Sequence, residues 1–316
     1  MERINSWTFD GEAILTAGDG VGVGKVFHHT YGKIGVHQRV YILSDFKCDA
    51  NYLFHFFSSK FYNRVKRMSA KNSVDSVRKE MITDMPLSLP CHQEQVKIGR
   101  LLSLLDERIA TQNKIIEDLK KLKCAIIEKL YSKIQGKEYP YGQLFDVVNE
   151  RNKQMKYSNI LSASQEKGMV NRNDLNLDIQ FERSNINTYK IVRKGDYVIH
   201  LRSFQGGFAF SDKLGVCSPA YTILRPNSLL EYGYLSYYFT SQRFIKSLII
   251  VTYGIRDGRS INVEEWLNMK VVIPSKDHQL HTLSVLKSID DKIENEETYA
   301  TCLSNQKKYL LHHMFI

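Results

Sequence analysis

CHQEQVKIGRLLSLLDERIATQNKIIEDLKKLKCAIIEKLY, running from Cys91 to Tyr131, is the stretch that decides how the chain is read. Apolar residues recur in it every three or four positions, at Ile98, Leu102, Leu105, Ile109, Ile116, Leu119, Ile126 and Leu130. The spacing averages about 3.5 residues, the period of a coiled-coil seam. Pro86 and Pro90 keep a helix from starting earlier, and Gly136 with Pro140 mark where it ends. A helix of about 40 residues at 1.5 Å rise is roughly 60 Å long, far beyond the globular mean, and must lie against something.

The same chain supplies the partner. An offset of 184 residues carries the seam onto Thr282, Leu286, Ile289, Ile293, Ala300, Leu303, Leu310 and Met314. The polar interruptions coincide as well, Gln112 with Glu296 and Lys123 with Lys307. So do the flanks: Pro90 with Pro274, Gln95 with Gln279, Asp106-Glu107 with Asp290-Asp291. Two heptad helices with superimposable interruptions, each preceded by an equivalent segment, are an internal repeat. The fold read from this is α+β: two mixed α/β heads, 1–90 and 137–274, and two long helices, 91–136 and 275–316, pairing as an antiparallel coiled coil. The polar seam positions either fix register at some cost in stability or are solvated edges.

A length of 316 residues allows two domains that each bury a core, and 43% hydrophobic with 25% charged residues describes a globular chain. No apolar run reaches the ~18 residues of a membrane span. The start, MERINSWTFDGE, lacks a basic-then-apolar signal, so a cytoplasmic protein is expected. Cys48, Cys91, Cys124, Cys217 and Cys302 are odd in number and never in CxxC spacing, which fits reduced thiols better than a metal site. Net charge is +10, an argument for nucleic acid as partner. The charge is uneven: KFYNRVKRMSAKNSVDSVRK, Lys60 to Lys79, holds seven Lys or Arg and one acid.

In chain order, Ala13–Thr16 and Arg39–Leu43 are strand-like by content. GDGVGVGK, Gly18 to Lys25, invites a phosphate-loop reading and fails it, because Asp19 stands five before Gly24 and Val26 follows Lys25. Glycines for a tight hairpin or a close backbone approach remain. Asn51 to Arg64 reads as an aromatic amphipathic helix, and Leu87-Ser88-Leu89 as a short strand. The second head answers with Val198–Leu201, Tyr221–Leu224, a helix over Glu231–Phe244, and Val271–Ile273 before Pro274. Tyr232, Tyr234, Tyr237 and Tyr238 lie at helical spacing and read as packing residues. Residues of roughly 140 to 184 have no counterpart in the first head, because Met1 aligns with Asn185. That head is therefore either shortened or completed by something outside this sequence.

PxxxEQxxIxxLLxxLDExI, written here as Pro90, Glu94-Gln95, Ile98, Leu101-Leu102, Leu105-Asp106-Glu107 and Ile109, resembles the specificity subunit of type I restriction–modification systems. GIRDGRSIN, Gly254 to Asn262, and the duplicated head-plus-helix order extend the resemblance over the whole chain. It implies two target-recognition domains, each reading half of a split double-stranded DNA site. It also implies helices that act as spacer and dock methyltransferase (M) subunits, with a restriction (R) endonuclease subunit joining them. A coil of about 50 to 60 Å matches ~15 to 18 base pairs, enough for two major grooves of one duplex. The short first head departs from the pattern.

No catalytic set is expected. The prolines are in neither the NPPY nor the DPPY arrangement that grips a flipped base, and none is followed by Asp. His278 and His281 share a helical face without a third ligand, and the pairs His28-His29 and His312-His313 add nothing. No cofactor or metal is called for. Base reading needs polar side chains on loops, and phosphate contact needs Lys, Arg and backbone amides. The candidates in the second head are Arg202, Ser203 and Gln205, then Arg256, Arg259 and Asn262. In the first head they are Lys25, His37, Gln38, Arg39, Lys66, Arg67, Lys71, Asn72, Ser73 and Arg78. A coiled-coil adaptor joining two protein-binding heads, and a truncated or silent specificity variant, are the alternatives.

Overall fold

In the computed structural model, which describes residues 6–20, 22–69, 76–164, 167–174, 183–200, 207–253 and 260–315, both heptad stretches are helical. They span His92–Ser132, 41 residues, and Lys276–Met314, 39 residues. The chain divides into two compact units, Met1–Ile116 with Glu294–Ile316, and Glu117–Ile293. Each long helix is thus shared between units rather than standing as a body of its own. A lone amphipathic helix cannot bury its apolar stripe, so each half packs with a head and a half of the other helix.

In the first unit, β1 (Phe9–Ala17), β2 (Phe27–Ile34) and β3 (Val40–Leu43) form an antiparallel sheet in the order β2-β1-β3. Helix α1 (Ala50–Met68) covers it, setting Phe57, Phe61 and Val65 against Ile14, Val23, Val77 and Met81. Asp49 starts α1 by accepting from Tyr52 N at 2.8 Å. The helix runs past Arg64 into the basic run because no glycine or proline interrupts it before Ser69. A short α2 (Lys79–Thr83) follows.

Leu87–Leu89, expected as a strand, is irregular. Its repeat counterpart is a strand only because Lys137–Pro140 pairs with it, and residues 1–90 contain no equivalent of that segment. The long helix α3 (His92–Ser132) then seats Leu102 and Leu105 against Tyr52, Phe56 and the C-terminal residues Leu310, Met314 and Phe315. A Cβ at Gly99 would lie 2.6 Å from Asp49 Oδ1 and 2.8 Å from Tyr52 N, so glycine lets α3 touch the start of α1. The helix halves run antiparallel: Asp106 meets Lys307, and further along Gln112 meets Glu296.

The second unit carries β4 (Lys137–Pro140), β5 (Phe145–Val148), β6 (Leu161–Ser164), β7 (Gly168–Asn171), β8 (Lys190–Val192), β9 (Tyr197–Ile199), β10 (Phe208–Phe210), β11 (Gly215–Cys217) and β12 (Thr222–Pro226). Four of these make the sheet β10-β9-β12-β5, and β6-β7 and β11-β8 are antiparallel pairs beside it. The expected single helix over Glu231–Phe244 is two, α4 (Tyr234–Tyr238) and α5 (Gln242–Ser247). Ser241 breaks it by accepting from Phe244 N at 3.1 Å, capping a new helix instead of continuing the old one. Tyr234 is fully buried, but Tyr232 is 57% exposed, because it precedes α4 and only edges onto Phe210.

A hairpin of β13 (Thr252–Tyr253) and β14 (Ser260–Ile261), helix α6 (Val263–Asn268) and β15 (Lys270–Ile273) complete the head. β15 pairs with β4 and leads into α7 (Lys276–Met314). The core collects Tyr141, Phe145, Tyr197, Phe239, Phe244 and Trp266 with Ile127 and Tyr131 of α3 and Leu286 of α7.

Along the seam, Leu102, Leu105, Ile116, Leu286, Ile293, Ala300 and Leu303 are buried. Ile98, Ile109, Leu119, Ile289 and Leu310 are half-buried. Burying a leucine contributes roughly 2 kcal/mol, so packing rather than propensity holds the rods.

Candidate nucleic-acid interface

Glycine spacing and strand ends assemble the first candidate surface. β1, β2 and β3 present Ala17, Phe27 and Val40 at one end of their sheet, where Ala17 pairs with Val40 and Thr16 with Phe27. Gly18 N donates to Arg39 O at 2.7 Å and Val77 N to Gly18 O at 2.7 Å. Gly20 and Gly24 have φ of +83° and +67°, a conformation that favours glycine. These contacts bring the 18–25 loop, the 37–39 turn and the 76–78 segment together.

Lys25, His37, Gln38, Arg39 and Arg78 are all exposed there. Lys25 Nζ sits 4.9 Å over the Tyr62 ring, and Arg39 donates to Asp19 at 3.0 Å. His37 Nδ1 accepts from Arg39 N at 3.3 Å. Lys66 and Arg67 occupy the last turn of α1, where their charge also complements the helix C-terminus. Lys71, Asn72 and Ser73 lie outside the described residues.

In the second unit the two candidate loops are the tips of hairpins whose bases are ordered. His200 N donates to Gly207 O at 2.8 Å, so the chain leaves β9 and returns to β10 at one point. Tyr253 pairs with Ser260 at the base of the other. Ile199, Phe208, Val251 and Ile261 anchor both bases in one core. Arg202, Ser203, Gln205, Arg256 and Arg259 themselves lie outside the described residues. Asn262 is engaged elsewhere: it caps α6, accepting from Glu265 N at 3.3 Å and donating to Glu265 Oε1 at 2.9 Å.

The joints between heads and helices are the same in both units. Gln95 accepts from Asp49 N at 3.0 Å and donates to Pro90 O at 2.8 Å. Gln279 accepts from Glu231 N at 2.8 Å and donates to Leu229 O and Pro274 O at 3.0 and 3.1 Å. Asp106 pairs with Lys307 and lies 3.8 Å from His55, while Asp290 pairs with Lys123 and accepts from Tyr237 OH at 2.8 Å. Burial, with Lys307 adding to it, pushes the His55 imidazole down to about 4, so it is neutral near pH 7.

A second apolar row on α3 escaped the heptad reading. Val96, Leu101, Leu104, Ile115 and Leu122 are exposed beside the buried seam. In the first unit, Leu101, Leu104, Arg108, Thr111 and Tyr299 line a groove of about 610 Å³. The doublets Leu101-Leu102 and Leu104-Leu105 were the signal, since one member of each must face away from the partner helix. An exposed apolar row of this kind marks an interaction surface.

The sequence family described as type I restriction modification DNA specificity domain matches residues 1–121. The type I restriction enzyme MjaVIII specificity subunit of Methanocaldococcus jannaschii is 24% identical over 334 aligned positions, covering 94% of this chain and 77% of that protein. The EcoDI specificity subunit of Escherichia coli is 27% identical over 131, covering 40% of this chain and 29% of that protein. The crystal structure of the type I restriction–modification S subunit from M. genitalium superposes with a TM-score of 0.56 at 15% identity, over 98% of this chain and 84% of that one. A chain solved in work on assembly and conformational transition of the type I R-M system gives 0.59 at 14%, over 96% and 81%. At such identities the structural likeness shows the fold alone.

Proposed function

This chain belongs to the family of type I restriction–modification specificity subunits, and on that premise we propose that its two heads are target-recognition domains that each read half of a split DNA site. The observation that carries the reading is the repeated joint, in which Gln95 and Gln279 bond main-chain atoms in the same way at the two heads. One architecture used twice fits a site read in two halves. The length of the paired helices sets the gap between them.

Phosphates are held by Lys25, Arg39, Lys66, Arg67, Lys71 and Arg78. The loops carrying Arg202, Ser203 and Gln205, and Arg256 and Arg259, read base edges. The exposed apolar row on α3 docks methyltransferase subunits, and restriction subunits join that assembly. The chain itself supplies recognition and scaffold, while the chemistry belongs to its partners. No helix of the described residues is long and apolar enough to cross a membrane; the complex works on DNA in the cytoplasm.

Binding of the reconstituted complex to duplexes with and without its bipartite site tests the proposal. Sequence-specific binding whose affinity falls steeply with salt is expected, because phosphate neutralisation releases counterions. Affinity indifferent to both sequence and salt returns the chain to the adaptor reading.

A further inference from the structure

The two heads seat the end of a long helix in the same way and differ in what lies beside that seat. In the second, Tyr131 at the end of α3 packs against Tyr234 and Tyr238 at 5.5 and 5.2 Å. The chain turns at Gly136, where a Cβ would lie 2.3 Å from Ile273 O, and enters β4 with Tyr139 opposite Val271. Tyr141 N then donates to Met269 O at 2.9 Å, and its buried ring stacks on Trp266 at 4.3 Å.

In the first head Phe315, 184 residues beyond Tyr131, packs against Tyr52 and Phe56 at 5.3 and 5.5 Å. Met85, Pro86, Leu87 and Ser88 repeat Met269, Lys270, Val271 and Val272. Among the described residues no strand runs along them, and Leu87 and Leu89 make no main-chain hydrogen bond. Both side chains are exposed, at 38% and 46%. Where Tyr141 would fall there is a cleft of about 740 Å³ lined by Phe56, Lys60, Arg67, Met85 and Leu87.

We propose that this groove accepts an extended strand from a second polypeptide. The strand pairs antiparallel along Pro86–Leu89, with an aromatic side chain inserted in the cleft and its N–H on Met85 O. This is strand addition to a free edge, in which main-chain bonds give affinity and a pocket gives specificity. Charge selects the occupant further. The cleft wall carries Lys60, Arg64 and Arg67 where the second head has Gln242, Lys246 and Ile249, so an acidic strand is favoured. Arg64 is held in place by donating to Met81 O and Asp84 O at 2.8 and 2.7 Å.

The probe is a labelled peptide of residues 136–143, GKEYPYGQ, titrated into the full chain and followed by anisotropy. Saturable binding is expected, weakened at least tenfold when alanine replaces the peptide's second tyrosine. Leu87→Pro, which deletes a main-chain donor at an exposed site, and Asn63→Trp, which fills the cleft, each weaken it similarly while circular dichroism is unchanged. Absence of saturable binding overturns the proposal, as does binding that ignores both variants. Concentration-dependent dimers lost in Leu87→Pro also overturn it, because the occupant is then a second copy. Sequence-specific DNA binding is read separately, so the peptide result and the recognition reading fail independently.

Discussion

Asp106 closes on Lys307, and the residues 184 positions on and back, Asp290 and Lys123, close on each other in the second unit. The lysines expected to mark the seam therefore do not meet. Each crosses to an aspartate of the opposite helix, one turn short of the head it serves.

Breaking one such pair leaves a half-buried charge uncompensated. Asp106→Ala is expected to cost about 1 kcal/mol, since these groups are partly solvated. The reversal Asp106→Lys with Lys307→Asp recovers most of it. Urea titration of the single and double variants measures the coupling.

His55 gives acid sensitivity. Its folded-state value near 4 lies below the usual 6.5, so the unfolded chain binds a proton first as pH falls. Stability is full above about pH 6.5 and declines toward pH 4, by about 2 kcal/mol at pH 5. His55→Gln flattens that part of the profile in melts from pH 7.5 to 5.

The glutamine joints differ in strength. Gln279 is fully buried with three main-chain partners, and Gln95 nearly so with two. Alanine at either position leaves buried groups unsatisfied, at about 1–3 kcal/mol each, with Gln279→Ala the more damaging. Hydrogen exchange at the Glu231 and Asp49 amides reports each loss locally.

Charge removal separates phosphate contacts from base contacts. Lys66→Ala with Arg67→Ala is expected to weaken binding to all duplexes alike and to lower the salt slope by about 2. Arg256→Ala is expected to relax specificity at one base pair, costing about 1–3 kcal/mol on the cognate site. Filter binding from 50 to 300 mM salt distinguishes the two.

The rods were legible because a seam repeating over 40 residues admits few other structures, and because Gln95 and Gln279 stood at equal distance before both seams. The fates of Leu87–Leu89 and of Glu231–Phe244 were not. A strand depends on a partner that may be anywhere in the chain, and a hydroxyl such as Ser241 caps or continues a helix according to its surroundings. Of the interface, the sequence indicated residue types on loops. It did not indicate that Gly18, Arg39 and Val77 tie three of those loops together, nor that Asn262 would be spent on a helix cap.

Gln95 and Gln279 bond only to backbone amides and carbonyls of the heads and of the prolines that precede the rods. A fastening of that kind is indifferent to the side chains on the other side of it. Mutation can rewrite a head almost freely, or recombination can replace one wholesale, and the clasp still shuts. Novelty in what is read thus comes without re-engineering the frame that carries it.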